Sequence, residues 1–461
     1  VGAAAPADPL VERVNRSALA SPLVVRPGPA LSGTVRPPGD KSVTHRAYLI
    51  ALLTPGETVV ERPNPGADCQ STLAACRALG LDVREAGAVV RLRNSGALHA
   101  SDAPIDCGNS GSTMRMLPGV LASQPFEATL QGDESLHRRP VARIIEPLRM
   151  MGARLSARDG DRLPPLVVHG GPLTGIHFVL PVASAQVATC IALAATRAAG
   201  ETIIDIPGPA RDHGERMLAA AGARIEIEPL GDGGRRVRVG GGATLAAGTL
   251  RVPGDLSSAA FFLAGAAAVP GARVTAHGVG LNPTRTGFLD VLEAMGAAVD
   301  RIETGDSGGE PIGDVIVTGP ERLHAFDPPA GWLPRWIDEV PAWTIVAAAA
   351  HGMSRLTGAG ELRIKESDRI TTLARGLAGI GLMAEERPDG LVVTGGIARG
   401  GPVASAGDHR IAMAFAVLGV QSREGVRIDD ASAIPTSYPS FIADLRALGG
   451  EVAPGPLEIA E

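Results

Sequence analysis

Lysine is almost missing from this chain: of its 43 Lys and Arg residues, only Lys41 and Lys365 are lysine. Aromatic residues make up 3%, cysteines number four, and no apolar run approaches the ~18 residues of a membrane-spanning helix. Each shortage excludes something. Cys69, Cys76, Cys107 and Cys190 lie far apart with no CxxC pair, against a zinc site or a disulfide scaffold, and are expected as buried thiols of a reducing cytosol. The opening VGAAAPADPLVERVN has neither a basic start nor a long apolar stretch, so no export is expected and a cytoplasmic location is. A net charge of −6 gives no bulk attraction to phosphate backbones, so neither nucleic acid nor a membrane is expected as a partner. Any anion must be gathered locally. What is present, 45% hydrophobic and 20% charged residues, fits a packed globular protein, and 461 residues suggest two or three domains at ~150 residues each.

The two lysines gain interest from their rarity. Arg cannot readily shift its pKa or give up a proton, so a chain that otherwise uses Arg and keeps Lys at two points suggests a compact ammonium with work to do. The bland alternative is two surviving surface lysines, since Lys is usually solvated.

Internal periodicity is the strongest organisational signal. Gly80, Gly152, Gly222, Gly296, Gly381 and Gly449 each follow an amphipathic stretch, at spacings of 72, 70, 74, 85 and 68 residues. Each is placed as a helix stop, where positive φ costs glycine little, and each precedes a candidate strand. Before each lies an alanine-rich helix with little polar surface (KSVTHRAYLIALL, GSTMRMLPGVLA, SAQVATCIALAATRA, SSAAFFLAGAAA, EVPAWTIVAAAA, HRIAMAFAVLGV) and then a short strand (ETVVE, FEATL, ETIIDI, ARVTA, MSRLT, GVRID). The alanine-rich helices should be buried and the charged amphipathic ones outside. Six α/β (α+β) repeats dividing three plus three predict two similar domains.

VRPPGDKS (35–42) and VPGDLSSA (252–259) are near copies, each with Pro-Gly before a helix start, and are expected to be paired crossovers near 36–40 and 252–256. Units one to three then form a domain over 38–253. Units four to six, with the N-terminal region, form a discontinuous one over 1–37 and 254–461. Segment 301–336 accounts for the long 85-residue interval and is expected to be a surface excursion.

If the buried helices run parallel, their N-termini converge and two such domains facing each other make an electropositive cleft. Asp40-Lys41-Ser42, Asn109-Ser110-Gly111, Ser184-Ala185-Gln186, Asp255-Leu256-Ser257, Asp338-Glu339 and Asp408-His409-Arg410 stand at those starts. Ordinary capping explains the Asp and Ser residues. It does not explain Lys41, Arg46, Arg115 and Arg410 inside alanine-rich helices, where an unpaired cation is expensive. Lys365, Glu366 and Arg369 are expected on a helix start, with Lys365 and Arg369 four apart on one face.

Taken together, PGDKSVTHR (38–46), GNSGSTMR (108–115), RRP (138–140), ASAQ (183–186), ARDHGERML (210–218), NPTRTG (282–287), IDE (337–339), RIKESDR (363–369) and DHRIAM (408–413) resemble the 5-enolpyruvylshikimate-3-phosphate synthases over essentially the whole chain. PGDKS, ASAQV and RIKESDR are similar to the second sequence class of that family. The resemblance implies the enolpyruvyl transferase fold, an inside-out α/β barrel of two domains with three βαβαββ-like units each. It implies transfer of the enolpyruvyl group of phosphoenolpyruvate to the 5-hydroxyl of shikimate 3-phosphate, with release of phosphate. It also implies a step toward chorismate and the aromatic amino acids, a glyphosate target, no metal or organic cofactor, and a monomer.

By the same resemblance, Lys41, Asn109, Gly111, Arg139, Gln186, Arg369 and Arg410 are implied to hold phosphoenolpyruvate. Lys41, Ser42, Arg46, Ser184, Gln186, Arg211, Asp338 and Lys365 are implied for shikimate 3-phosphate. Such a step needs an acid for the methylene carbon, a base for the hydroxyl, and cations for carboxylate and phosphate groups. Asp338 is the expected base, with Glu366 and Lys41 as proton carriers whose division of labour stays open. Two positions depart from the family. Thr436-Ser437-Tyr438 stands where many members carry a Lys, and Ser135 falls where an ungapped reading puts an Arg, so that role passes to Arg139, with Arg138 as the alternative. The sister transferase acting on UDP-N-acetylglucosamine typically has Lys-Asn at Lys41-Ser42 and a reactive Cys in the loop that here reads GDESLHRRP, which has none. A non-catalytic repeat scaffold predicts an aromatic-rich or apolar exposed face, at odds with 3% aromatics.

Overall fold

The computed structural model describes residues 22–454. The opening segment read for export, and the ends 1–21 and 455–461 of the expected second domain, lie outside the described residues. Twelve helices carry the repeat. They are α1 (Lys41–Leu53), α2 (Ala67–Ala78), α3 (Gly111–Leu121), α4 (Ala142–Met150), α5 (Ala185–Ala195), α6 (His213–Ala220), α7 (Leu256–Ala267), α8 (Gly287–Ala294), α9 (Val340–Ala349), α10 (Arg369–Gly379), α11 (His409–Gln421) and α12 (Phe441–Ala447). The odd-numbered members, α9 excepted, start at polar caps: Asp40, Ser110, Ser184, Asp255 and Asp408 each accept a bond from the first turn of the helix that follows. These alanine-rich helices are buried nearly end to end, because their small side chains leave no polar face to solvate.

The even-numbered helices lie outside, and each is followed within two residues by its stop. Gly80, Gly152, Gly222, Gly296, Gly381 and Gly449 all have φ between +84° and +112°, a backbone that L side chains adopt only with strain.

Among the described residues five units close a four-stranded sheet on one plan, and unit five closes a three-stranded sheet without the parallel strand. In the second unit the order is Ile105–Asp106, α3, Glu127–Gln131, α4, Arg154–Ala157, Leu163–His169, a βαβαββ chain whose first two strands pair parallel and the rest antiparallel. Three sheets are completed by strands distant in sequence: Thr249–Arg251 pairs with Gly56–Glu61 in unit one, and Gly33–Val35 with Arg273–Gly280 in unit four. In unit six Leu23–Arg26 lies between Val426–Ile428 and Glu451–Pro454. Two separate apolar cores result, one drawn from Val43 to Val252, the other from Leu23 to Val35 together with Leu256 to Leu448.

Within each core the buried helices run parallel. Arg46 meets Thr189 and, two turns on, Arg197 meets the Leu53 carbonyl, so α1 and α5 share a direction. In the second core the helix starts meet, Ser257 of α7 bonding Glu339 just before α9 and Arg410 of α11 the Asp338 carbonyl, while Gln421 at the end of α11 bonds the Gly265 carbonyl late in α7. The chain passes between the cores twice, and the two passages are bonded to each other: Asp40 N donates to Pro253 O at 2.7 Å and Asp255 N to Pro38 O at 2.8 Å. A Cβ on Gly39 would lie 2.1 Å from the Arg62 carbonyl, so this crossing admits no side chain.

Segment 301–336 is not a surface excursion. Ala298–Ser307 and Glu310–Thr318 form a hairpin built into the sheet of unit four, with Val315 and Val317 in the core. Its turn reaches the other half, where the buried Glu310 carboxylate bonds the buried His213 ring at 2.8 Å. The remainder forms short 3-10 turns leading into α9. No helix among the described residues is long and apolar enough to cross a membrane.

Candidate active site

The N-termini of the buried helices face each other across the two halves, and the residues singled out from sequence gather there. Lys41 opens α1, and its ammonium bonds Asp68 of α2 at 2.9 Å. Burial pulls the Lys41 pKa down, but Asp68 and Glu366 outweigh it and leave it raised. Ser42 follows, half-buried, and its carbonyl accepts from the Arg46 guanidinium at 3.0 Å. The rest of the Arg46 head rests on the Thr189 hydroxyl at 3.0 and 3.2 Å. Among the described residues Arg46 makes no ion pair, and burial pushes its pKa down to about 10. A buried cation served only by neutral oxygens is a socket for an anion.

Arg115 repeats this pattern on α3. It donates to Gln186 Oε1 at 3.1 Å and, at 3.4 Å, to the Pro140 carbonyl. Burial, then the like charges of Arg139 and Arg143, bring its pKa down to about 10. Gln186, in the first turn of α5, donates in turn to Ser112 Oγ at 3.1 Å, and Ser184 caps that helix. Arg139 turns inward and bonds Asn109 Oδ1 at 2.9 Å, whereas Arg138 points out and pairs with Glu134. Ser135 lies at 3.4 Å from the Arg139 guanidinium, so the departure at that position leaves a hydroxyl beside the arginine. Gly111 sits under both: an added Cβ would lie 3.0 Å from Arg115 Nη1 and 3.5 Å from Arg139 Nη1.

The opposite wall is built differently. Asp338 receives Arg211, from the first half, at 2.5 Å, and lies 3.7 Å from both Lys365 and Arg369, while Arg410 donates to its backbone carbonyl at 3.0 Å. Burial alone would raise its pKa, but Arg211, Lys365, Arg410 and Arg369 hold it well below the carboxylate range. Arg369, 1% exposed, bonds Glu366 and Asp408, each at 2.7 Å. Burial opposes ionisation of Glu366 too, yet Arg369, His409 and Lys41 keep it ionised far below its usual value.

One expectation about this wall is corrected. α10 begins at Arg369 behind the cap Asp368, so Lys365 and Glu366 belong to the loop before it, and no shared helix face joins Lys365 to Arg369. They meet instead through Asp338. The misreading came from RIKESDR, in which Asp368, the cap, is a weaker signal than the charges around it.

Three groups at the site went unassigned from sequence. Asp68 reads as an ordinary first-turn acid of α2, and only its contact with Lys41 marks it. Asp408 and His409 were visible as a helix start. Asp408, fully buried, anchors Arg369, and burial pushes the His409 pKa down to about 4. Thr436 lies in the turn Ile434–Thr436 that packs on the start of α2, its carbonyl against Gly66, and Asn64 bonds the Ser437 carbonyl at 3.1 Å. Among the described residues no group of three or more His, Cys, Asp or Glu is placed to hold a metal ion.

With this geometry in hand, comparison with known proteins is informative. The profile of the family described as EPSP synthase (3-phosphoshikimate 1-carboxyvinyltransferase) matches residues 25–445. A 3-phosphoshikimate 1-carboxyvinyltransferase of Acidithiobacillus ferrooxidans is 47% identical over 424 residues, covering 91% of this chain and 96% of the relative. One from Methylococcus capsulatus is 44% identical over 430 residues, 92% of this chain and 97% of the relative. Among solved structures, an EPSP synthase from Acinetobacter baumannii superposes with a TM-score of 0.85 at 39% identity, over 94% of this chain and all of that one.

Proposed function

The chain belongs to the EPSP synthase family, and from that premise we propose how its residues perform the family's reaction. The enzyme is a 3-phosphoshikimate 1-carboxyvinyltransferase: it moves the enolpyruvyl group of phosphoenolpyruvate to the 5-hydroxyl of shikimate 3-phosphate and releases phosphate. The sister transferase acting on UDP-N-acetylglucosamine is not among the relatives described above.

One new C–O bond forms at the phosphoenolpyruvate C2, the bond from C2 to the phosphate oxygen breaks, and the methylene carbon takes up and returns a proton. Arg46, Ser42, Ser184, Arg211 and Lys365 hold shikimate 3-phosphate, and Arg139, Arg369, Arg410, Asn109 and Gly111 hold phosphoenolpyruvate, with Lys41 and Gln186 between them. Arg115, which shares the anion-socket geometry of Arg46, joins the phosphoenolpyruvate set. Asp338 takes the hydroxyl proton. Glu366 and Lys41 carry the proton to carbon and to the departing phosphate.

The observation that carries this reading is the convergence of Arg211, Lys365, Arg369 and Arg410 on Asp338. By itself that field makes Asp338 and Glu366 weak bases. Two phosphates and two carboxylates entering the same space offset the cations, so Asp338 and Glu366 regain proton affinity when the substrates are in place. The site is thus poised for proton transfer by its substrates' charge.

The same proposal includes two domains, 38–253 and 1–37 with 254–461, that close about the crossovers near 36–40 and 252–256, as the two separate cores and the division of the site between them support. A cytoplasmic monomer without nucleic acid or membrane partners completes it, and sedimentation velocity tests the monomer. Phosphate release, measured with both substrates and then with each alone, tests the activity: release with either substrate alone, or none with both, is the result that overturns the reading.

A further inference from the structure

Deep under the Lys41 to Asp68 contact lies a second line of polar groups that the reaction above does not use. α1 and α2 run side by side in the same direction and in register: Lys41 meets Asp68, His45 meets Thr72 one turn on, and the Tyr48 carbonyl meets Cys76 Sγ at 3.5 Å another turn on. At the middle level the contact continues. His45 Nδ1 lies 2.7 Å from Thr72 Oγ1, Thr72 Oγ1 lies 2.6 Å from Thr113 Oγ1, and Thr113 Oγ1 donates to Ser110 Oγ at 2.7 Å. All four side chains are fully buried. Ser110 is the cap of α3 and also accepts the Thr113 amide at 3.2 Å.

The direction of this chain follows from counting protons. A threonine hydroxyl has one hydrogen to give. That of Thr113 is committed to Ser110, so Thr72 must donate to Thr113. The Thr72 oxygen is then served by the only hydrogen left, which His45 must supply from Nδ1. The count puts a proton on Nδ1, and Nε2 is buried with no hydrogen-bond partner among the described residues, so a second proton there would have nothing to receive it and the ring is the neutral Nδ1–H form. Burial pushes its pKa down to about 3, in keeping with a ring that stays uncharged. An orphaned buried ring nitrogen costs free energy that an apolar side chain in the same space would not, so packing alone gives no reason for a histidine here.

We propose that His45 is a positioning residue for phosphoenolpyruvate, which through Thr72 and Thr113 fixes the capped start of α3 against α1. The inference rests on the assignment of Lys41 and the 109–111 segment to phosphoenolpyruvate. Those groups come from different helices, and α2, which carries no substrate contact itself, ties them together twice: Asp68 to Lys41 and Thr72 to the Ser110 cap. Releasing the second tie lets the Asn109 to Gly111 turn drift relative to the Lys41 ammonium. Most groups assigned to shikimate 3-phosphate, among them Ser184, Arg211, Asp338 and Lys365, stand outside this brace.

The test uses Thr72→Val and His45→Leu, with Thr72→Ser and His45→Asn as the variants that restore a hydroxyl and a donor at the Nδ1 position. Thr72→Val and His45→Leu should raise the KM for phosphoenolpyruvate about tenfold, the effect of one lost hydrogen bond, with kcat within about threefold and the Kd of shikimate 3-phosphate within about twofold of the parent enzyme. Thr72→Ser and His45→Asn should return the KM to within about threefold. An unchanged KM in both apolar variants overturns the proposal, as does an equal weakening of both substrates, which marks a packing brace with no preference between them. Spectra of the unmodified enzyme with 15N-labelled histidine give a readout free of any folding defect: a neutral Nδ1–H ring at pH 7 supports the polarity, and an Nε2–H or doubly protonated ring overturns it. Failure of the assigned function looks different, since the unmodified enzyme would then release no phosphate at all.

Discussion

The two walls of the cleft reach a similar cationic surface by opposite means. On the wall from the first half, Arg46, Arg115 and Arg139 are held by hydroxyls, amides and carbonyls, and the exceptions are Lys41 on Asp68 and Arg211, which reaches across to Asp338. On the wall from the second, Arg369 is tied to two carboxylates, and Asp338 is shared among Arg211, Lys365 and Arg369. A cation bonded to neutral groups keeps its charge free for a ligand, whereas a cation bonded to carboxylates spends it in fixing them. On the roles proposed above, the first wall chiefly binds, with Lys41 also moving a proton, and the second adds to its binding cations the two carboxyl groups, Asp338 and Glu366, that exchange protons.

The sharpest way to break this comparison is to remove proton chemistry from the second wall while keeping its shape. Asp338→Asn and Glu366→Gln should fold and lower kcat by ~10²–10⁴-fold, the usual worth of a positioned acid or base. Steady-state rates per folded molecule, with circular dichroism as the check on folding, decide it. If either variant instead loses substrate affinity with kcat intact, the second wall binds as the first does.

Stability should separate the walls next. Arg369→Met strands Asp408 and Glu366 and should cost ~3–5 kcal/mol, because a buried pair broken from one side leaves an uncompensated charge. Arg46→Met removes a buried cation that bonds no carboxylate among the described residues, and should leave stability within ~1 kcal/mol, while shikimate 3-phosphate binding weakens by ~2–5 kcal/mol, as for other truncated buried charge contacts. Urea unfolding and titration calorimetry on both variants measure the two effects. Equal destabilisation by the two substitutions would erase the distinction.

Acid should act on the walls in sequence. His45 and His409, one in each half, have pKa values lowered to about 3 and about 4, so below ~6.5 the unfolded chain binds protons that the native protein refuses. Stability is then complete above that pH and falls on acidification by ~1.4 kcal/mol per pH unit for each of the two. The pKa values of Asp338, Glu366 and Asp408 are depressed, so their contribution persists above the ordinary carboxyl values of 3.8 for Asp and 4.5 for Glu and is lost only below them. Urea midpoints at pH 7, 6 and 5 should give a slope near two protons, reduced by one in His45→Asn. A flat profile over that range contradicts two buried neutral histidines.

How much of this was legible in the sequence depends on whether the signal was local and repeated. The six glycine stops and the capped starts of the alanine-rich helices recur with one geometry, and each is enforced by its own few residues. Contacts across the chain left no such mark. The tip of the hairpin Ala298–Thr318 looks like a charged loop, GDSGGEP, because nothing near Glu310 in sequence indicates that His213 covers it. Asp68, Thr72 and Thr113 likewise read as routine helix residues until α1, α2 and α3 are laid side by side. The choice between Arg138 and Arg139 needed the turn at Leu136–Arg138, which points one arginine at Glu134 and the other at Asn109.

The smallest expected effect probes the free charge of the first wall directly. Gly111 begins α3 with a φ that L residues accept, so alanine there strains no backbone. Its methyl group would stand 3.0 Å from Arg115 Nη1 and 3.5 Å from Arg139 Nη1, in space between two guanidinium groups assigned to phosphoenolpyruvate. The Arg115 head is the end of a flexible side chain and can give by a few tenths of an ångström, so the substrate KM should rise only a fewfold. Glyphosate, which in this family competes for the same site, is longer and has less room to move aside. The added methyl should therefore weaken the inhibitor more than the substrate, by a difference of ~1–3 kcal/mol. Inhibition constants for the unmodified enzyme and Gly111→Ala, measured beside their phosphoenolpyruvate KM values, are the check. Equal losses for inhibitor and substrate would mean that the pocket relaxes around the methyl group, and that the arginines of the first wall are held less firmly than their neutral partners imply.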